Sequence, residues 1–166
     1  MTPINPRWTK WIIASITKHF HTKLQIDAGI QTTDPGRRYK LSNRDSQHCE
    51  VRVDGPRFKE ISRAYFNAYV EVNIFMNVDI DREDILKMPT LMGIVQNAMT
   101  QPITVYKFGN DAEDDGSKVC CLVLVDSSNK KEAVETNNFG QIDPNVPLHQ
   151  AACEAHYELE SDFINC

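Results

Sequence analysis

The chain has 166 residues, a hydrophobic fraction of 41% and a formal net charge of −5. This length fits one domain over residues 1–166, because about 150 residues already bury some two thirds of the surface of an unfolded chain. The acidic balance argues against broad phosphate binding, although it leaves room for a local basic patch. Neither a signal peptide nor a membrane-spanning apolar run is predicted, so we expect synthesis and folding in a cytoplasm without membrane contact.

The first predicted element is an amphipathic helix. Asn5 is placed to cap it, and Pro6 suits its first turn. Apolar side chains then recur at helical spacing as far as Phe20. Trp8 and Trp11 are predicted to anchor this helix in the core, and Trp8 also lies where a contact with a partner could begin.

The next part of the chain predicts short elements joined by polar connections. A short strand is predicted over residues 24–30. Residues 31–47 contain an Asp-Pro-Gly turn and several basic side chains, and they predict an extended loop or arm. A solvated loop is the simpler interpretation, and a basic arm that touches a neighbouring subunit or passing DNA is the alternative. Residues 50–54 alternate as a strand that ends at Gly55 and Pro56, and residues 57–64 predict a short charged segment with at most one helical turn.

The clearest pattern in the chain is YVEVNIFMNVDI, residues 69–80. Apolar and polar side chains alternate along it, which predicts a strand with one buried face and one mostly polar face. It is longer than a typical strand of about five or six residues. A long strand of this kind suits a sheet that lines a channel or meets a neighbour.

A second helix and two strands are predicted after it. Asp81 and Asp84 resemble a capping pattern, and the apolar face that follows runs over residues 85–99. Residues 103–108 predict a strand. Residues 119–125 are apolar on both faces, which predicts a central strand covered on both sides.

The end of the chain predicts a loop, a strand and a tail. Residues 130–148 carry Asn-Phe-Gly and Asp-Pro turn signals and predict an irregular, functional loop. Residues 149–160 alternate as a strand, and residues 161–166 are predicted to form a mobile tail. The expected fold is therefore α+β, with one mainly antiparallel sheet of four to six strands and the two helices packed on one face.

No catalytic, cofactor-binding or metal-binding motif accompanies these elements. The glycines are isolated, so no phosphate-binding loop is predicted. On the last strand His149 and Cys153 share a face, but His156 lies on the opposite one, so no ordinary metal site is predicted. The acidic residues 111–115 lack the spacing of a calcium loop, and a solvated hairpin tip is the simpler interpretation. Cys121 and Cys153 are interpreted as buried, inert thiols.

The order of the elements is similar to that of a known family. A tryptophan-containing helix precedes EVRVDGPRFKEISRAYFNAYVEVNIFMNV, and then come a helix ending GIVQNAM, the strand PITVYKFGN, the segment TNNFGQID and a final AHYELE strand. From about Pro6 to Glu160, this succession resembles the tail-terminator and tail-completion proteins of tailed bacteriophages. These are small α+β neck proteins that form a ring at the head-proximal end of the tail and take part in head–tail joining.

The resemblance implies a structural virion protein, with no enzymatic activity and no cofactor. It implies a closed homo-oligomer, usually a hexamer, assembled in the host cytoplasm. The ring would end tail-tube growth by binding the tube protein and would present a surface to the head–tail connector or stopper protein. DNA would pass transiently through its lumen.

Several residues become candidates for these roles. Acidic side chains in a lumen would keep passing DNA from sticking, although an outward position in solvent suits the same residues equally. The candidates for the lumen face are Glu71, Asn73, Asn77 and Asp79. The candidates for contacts with subunits or partners are Trp8, Arg37, Arg38, Phe139, Gln141, Phe163 and Cys166.

The cysteines and the competing functions remain open at this point. The five cysteines are an odd number and do not suggest a disulfide framework. If the protein matures into an extracellular particle, Cys49 and Cys166 are the candidates for a disulfide between subunits. Two alternatives to a terminator remain, namely another neck component such as a stopper or connector, and a small cytosolic enzyme with an unrecognised Cys/His or carboxylate site.

Overall fold

The computed structural model describes residues 4–33, 47–63, 65–79, 84–125 and 133–160. Over these residues, two helices pack on a seven-stranded sheet in which all pairs except β1–β2 are antiparallel. The elements are α1 (Arg7–Phe20), β1 (Gln31–Thr33), β2 (Gln47–Ser62), β3 (Tyr65–Asp79), α2 (Lys87–Thr100), β4 (Ile103–Tyr106), β5 (Lys118–Leu124), β6 (Val134–Asp143) and β7 (Val146–Glu160). The predicted α+β fold is confirmed.

The sheet is organised around β7. Its strand order is β1-β2-β3-β7-β5-β4, and β6 pairs with the first part of β7. Along one edge β7 therefore contacts β3, while the other edge contacts β6 and then β5. The prediction that residues 119–125 form a central strand is supported, because β5 lies between β4 and β7 and its Cys120, Cys121 and Leu122 are all buried.

The N-terminal helix forms where its sequence predicts, but it continues further. Asn5 Oδ1 accepts a hydrogen bond from the backbone N–H of Arg7 at 2.9 Å, which satisfies one free donor of the first turn. Beyond Phe20 the chain forms a π-helical turn, His21–Ile26, so the strand predicted over residues 24–30 is wrong. Leu24 follows Phe20 at helical spacing and is fully buried, and its burial favours the helical course.

The second helix presents the predicted apolar face to the sheet. Its buried side chains are Met88, Leu91, Val95, Ala98 and Met99. Ile85 differs from the prediction, because it precedes the helix and is 74% exposed. The Tyr157 hydroxyl on β7 donates to the carbonyl oxygen of Met99 at 2.7 Å, which fixes the end of α2 to the sheet. No helix in the described ranges is long and apolar enough to cross a membrane.

The long strand predicted from YVEVNIFMNVDI is the centre of the core. Val70, Val72, Ile74, Met76 and Val78 are all buried, at 3% exposure or less. Hydrophobic side chains on β2 and β7 lie beside them on the same face, where they meet α1 and α2. The alternation predicted from the sequence is therefore confirmed, and the strand begins earlier, at Tyr65.

The strand β2 is longer than predicted. Instead of ending at Gly55 and Pro56, it continues to Ser62 and pairs with β3 as far as Tyr65, so the helical turn expected over residues 57–64 is wrong. A register shift between Asp54 and Arg57 marks an irregularity at this point. Gly55 adopts a positive φ of 107°, which a residue with a side chain rarely adopts.

The predicted irregular loop at residues 130–148 is also mostly strand. β6 and β7 form a hairpin with a turn at residues 144–145. The Asn-Phe-Gly signal marks a register shift, where Gly140 has a φ of 69° and its N–H donates to Asn138 Oδ1 at 2.9 Å. Turn-forming residues here produce a bulge within a strand.

The extended loop predicted at residues 31–47 is described only at its ends. Gln31–Thr33 forms β1 and Gln47 begins β2, while residues 34–46 lie outside the described ranges. The predicted tail, residues 161–166, lies outside them as well.

Candidate functional site

The predicted lumen residues share one surface. Glu71, Asn73, Asn77 and Asp79 lie on the face of β3 opposite the core, and each is half-buried. Asn73 Nδ2 donates to Glu71 Oε1 at 2.8 Å, and on the same face Asn77 Oδ1 accepts from a glutamine of β7 at 2.6 Å. This polar face is therefore an ordered network, and its position towards a lumen stays a prediction.

An aromatic ring interrupts the polar face. Phe75 lies between Asn73 and Asn77, and the Arg52 guanidinium stacks 4.4 Å from the centre of its ring. Arg52 also donates two hydrogen bonds to the Glu50 carboxylate, at 2.9 and 3.2 Å. The ion pair within β2 thus neutralises the charge of Arg52, and the stacking of Arg52 on Phe75 joins β2 to β3 on this part of the face.

The β2–β3 hairpin continues beyond the rest of the sheet. β3 pairs with β7 only from Tyr69 onward, whereas its pairing with β2 reaches Tyr65. We call the described residues 57–63 and 65–67 the arm. Ile61 and Tyr65 at its tip are 63% and 69% exposed. An isolated two-stranded hairpin is at best marginally stable in water, so the arm gains stability when a partner covers it.

The arm carries mainly positive charge. Arg57, Lys59 and Arg63 lie on it with a single acidic residue, Glu60. Arg57 forms an ion pair with Asp54 at 2.6 Å, and both side chains remain largely exposed. The tip therefore combines two exposed apolar side chains with a basic surround.

The opposite end of the sheet carries a second exposed apolar surface. We call residues 84–86 and 139–143 the base. The register of β3, β6 and β7 places residues 139–143 near Asp79, at the end of β3 that is remote from the arm. The Lys87 side chain reaches the backbone oxygen of Asp79, which brings the adjacent residues 84–86 to the same end. β3 has 15 residues, and at about 3.3 Å per residue the two ends lie roughly 45 Å apart. The exposed apolar residues of the base are Ile85, Leu86, Phe139 and Ile142, at 74%, 66%, 59% and 51% exposure.

The charge of the base is opposite to that of the arm. Asp84 and Asp143 flank its apolar side chains, and both acidic residues are exposed. Lys87 is the basic residue that follows Leu86, and its Nζ lies 3.4 Å from the backbone oxygen of Asp79. The arm and the base are thus similar in apolar character and complementary in charge.

The predicted interface residues fall into three groups. Phe139 and Gln141 are exposed within the base, where Gln141 Nε2 donates to the backbone oxygen of Asp143 at 3.0 Å. Trp8 is half-buried, and its ring lies 5.8 Å from that of Trp11 in an edge-to-face contact. The remaining candidates lie outside the described ranges, and they are Arg37, Arg38, Phe163 and Cys166.

The acidic segment at residues 111–115 is largely exposed, as expected from its sequence, but Asp114 is half-buried against α1. Asp114 accepts hydrogen bonds from Trp11 Nε1 at 2.7 Å and from Lys10 Nζ at 2.5 Å. Arg7 forms ion pairs with Asp111 and Glu113 in the same segment. The hydrogen bonds from Lys10 and Trp11 hold the pKa of Asp114 below its usual range. These contacts fix the first turns of α1 against the loop.

The cysteines lie mainly in the core. Cys49, Cys120 and Cys153 are buried free thiols, and burial raises the pKa of Cys49 and of Cys120 to about 12. The prediction of a buried thiol is confirmed for Cys153, whereas Cys121 is buried as predicted but is disulfide-bonded and not a free thiol. Cys49 is fully buried, so this fold does not expose it for the predicted disulfide between subunits.

The sequence did not indicate the arm or the base as surfaces. Ile61 lies in residues 57–64, interpreted as a short charged segment, and Tyr65 directly follows it. Ile85 was assigned to a buried helix face. An exposed apolar side chain carries no local signal that separates it from a buried one. Only Phe139 and Gln141 were singled out in advance, because turn signals surround them.

Comparisons with known proteins do not assign a family. No family model matches the chain, and no curated protein matches it. One solved structure, of a protein without a descriptive name, aligns with a TM-score of 0.47 at 10% sequence identity. The alignment covers 90% of this chain and 96% of the other. A likeness at this level carries no argument about function.

Proposed function

We propose that this protein is a structural virion subunit that forms a ring at the head-proximal end of a bacteriophage tail. There it ends the growth of the tail tube and joins the tail to the head connector. The observation that supports this proposal is the pair of unlike but complementary surfaces, the arm and the base, at opposite ends of one sheet.

A ring requires such a pair of surfaces. Subunits related by rotation around a ring use a heterologous interface, in which one surface of each subunit meets a different surface of the next. The arm of one subunit would bury Ile61 and Tyr65 against the apolar side chains of the neighbouring base. The basic residues of the arm would then face Asp84 and Asp143 at the rim, where opposite charges favour correct pairing.

The polar face of β3 suits the inner wall of such a ring. Glu71 and Asp79 lie on it among asparagine and glutamine side chains that hydrogen-bond one another. Carboxylates repel a passing phosphate backbone, so DNA would move through the lumen without binding. The two ends of the sheet remain available for subunit contacts when this face turns inward.

The test is the solution mass by light scattering, with and without purified tail tubes from the same phage. The proposal predicts a hexamer of about six 19.0 kDa chains, or a monomer that assembles only on tube ends. A lasting monomer that is indifferent to tubes would contradict it. Binding to the portal-side assembly and not to tubes would favour the alternative of a stopper or connector.

A further inference from the structure

Three side chains with metal-binding atoms converge on the polar face. Glu71, Glu154 and His156 each offer one ligand atom, and these atoms all lie within 4.8 Å of one another. His156 Nε2 is 2.8 Å from Glu154 Oε1. Each of the three is half-buried. They are the only such group found among the described residues, and they unite a nitrogen donor with two carboxylates.

The register of the sheet creates this convergence. Glu71 on β3 lies directly opposite His156 on β7. Glu154 precedes His156 by two residues, so both point to the same face of their strand. The residues that alternate with them, Val72 and Ala155, are fully buried in the core. The three side chains therefore rest on a rigid part of the sheet, which favours a preorganised site.

Groups next to these three side chains would support a bound metal ion. Asn73 Nδ2 donates to Glu71 Oε1 at 2.8 Å, which orients that carboxylate. Hydrogen bonds of this kind to a ligand raise the affinity of metal sites and fix their geometry. An open cavity of about 230 Å³ lies beside Glu71 and His156, and Asp54 and Tyr69 also line it. The cavity leaves room for water in a further coordination position.

We propose that Glu71, Glu154 and His156 bind a divalent transition-metal ion, and that Zn²⁺ is the best fit. Zn²⁺ accepts imidazole nitrogen and carboxylate oxygen at about 2.0–2.2 Å, often with three protein ligands and a water. On such an ion, neighbouring ligand atoms lie about 3.5 Å apart, so small rotations of these side chains bring them into place. Ca²⁺ and Mg²⁺ prefer sites built from oxygen alone.

Binding would join β3 to β7 across the polar face. The metal replaces the hydrogen bond between His156 and Glu154 with bonds from both residues to one ion, and Glu71 supplies the bond to the neighbouring strand. The ion thereby stabilises the centre of the sheet. This inference does not depend on the proposed ring, because it concerns a single chain.

Isothermal titration of the full chain with ZnCl₂ tests the proposal. We expect saturable binding at one ion per chain and no comparable binding of MgCl₂ or CaCl₂. His156→Ala and Glu71→Gln should each weaken Zn²⁺ binding at least tenfold. The matched controls are His21→Ala, an exposed histidine in the π-helical turn, and Glu158→Gln, two residues beyond His156 on the same strand face. Both controls should bind Zn²⁺ as the unaltered chain does.

Thermal melting supplies an independent measurement. Zn²⁺ at a hundredfold excess over its dissociation constant should raise the melting midpoint by about 5–10 °C, and His156→Ala should abolish this shift. Melting without metal shows whether each variant folds, and a variant that fails to fold is replaced by His156→Gln. The proposal is overturned if Zn²⁺ does not bind at one ion per chain, if Mg²⁺ binds equally well, or if the controls lose as much affinity as the ligand variants.

Discussion

The two halves of the β2–β3 ribbon have the same backbone pairing but different surroundings. In the inner half, Val72, Ile74 and Met76 are fully buried under the helices. In the arm, Ile61 and Tyr65 are mostly exposed, and no third strand among the described residues pairs with the ribbon there. Apolar burial within the chain thus stabilises the ladder of hydrogen bonds in the inner half, and this burial is lost towards the tip of the arm.

This difference indicates which part of the ribbon would gain most from contact with a partner. Backbone hydrogen bonds contribute little net stability in water, and apolar burial supplies most of the driving force. The inner half obtains that burial from its own chain. Ile61 and Tyr65 at the tip of the arm would obtain it from another surface, and the base offers exposed apolar side chains with the opposite charge.

Hydrogen exchange should show the largest difference between the halves. In the monomer, amides of Val72 and Ile74 should exchange at least about a thousandfold more slowly than those of Lys59 and Asn67, since core strands open only with global unfolding. Exchange followed by NMR or mass spectrometry measures this directly. Similar protection in both halves of the monomer would contradict the comparison. If protection of the arm amides rises on assembly, the arm is covered by another subunit.

A core substitution should destabilise the inner half of the ribbon. Ile74→Ala removes a fully buried side chain and should lower the free energy of unfolding by about 2–5 kcal/mol. Chemical denaturation measures the change. The matched control is Ile26→Ala, because Ile26 is 66% exposed, and its effect should stay within about 0.5 kcal/mol. Equal effects of the two substitutions would mean that the inner half is not the source of stability.

Substitutions at the tip of the arm should weaken association between subunits without changing the stability of the monomer. Ile61→Asp combined with Tyr65→Ser removes both exposed apolar side chains of the arm. We expect subunit association at least tenfold weaker by sedimentation equilibrium, about 1.4 kcal/mol, because these residues would occupy the centre of the interface. The free energy of unfolding of the monomer should change by no more than about 0.5 kcal/mol.

The control for the tip is Ile26→Asp. Ile26 is as exposed as Ile61, at 66% and 63%, but it lies in the π-helical turn and belongs to neither the arm nor the base. Association of this variant should equal that of the unaltered chain. Weakening by Ile26→Asp to the same degree would show that the effect is not specific to the arm.

The smallest expected effect concerns the contact that holds α1 over the inner half. The folded pKa of Asp114 is lowered, so its stabilising effect is present above the unfolded pKa and is lost as the pH falls through the folded pKa. Asp114→Asn should therefore destabilise the chain near pH 7, and the difference should shrink below about pH 4. Urea midpoints across this range measure it.

The control for Asp114 comes from the same loop. Asp111 is 63% exposed and lies 3.6 Å from Arg7, so Asp111→Asn should have little effect at any pH. A difference between Asp114→Asn and the unaltered chain that stays constant down to pH 2 would show that the carboxylate charge is not the source of the stabilisation.

The inner half was predictable because burial on one face leaves a period of two in the sequence. Residues Val70 to Val78 show that period of two, and the apolar face of α2 shows the helical period. The strand and the helix predicted from these periods are both confirmed. The outer part of β2 and most of β6 are exposed on both faces. Their sequences show no apolar period, so these strands were read as a charged segment and a loop.

The contacts between distant residues could not be predicted from local patterns. Glu71 was singled out, but its neighbour His156 is 85 positions away, and only the register of β3 with β7 brings them together. In the same way, nothing in the sequence around Asp114 indicates that Trp11 and Lys10 reach it. Side chains of this kind acquire their roles from topology.

Photo-crosslinking from the tip of the arm tests directly whether the arm of one subunit contacts the base of the next. A benzophenone amino acid replaces Tyr65, and crosslinked peptides from the assembled protein are identified by mass spectrometry. The proposed ring predicts crosslinks between chains that fall in residues 84–86 or 139–143. Crosslinks confined to the arm of the other chain, or none between chains, would contradict it.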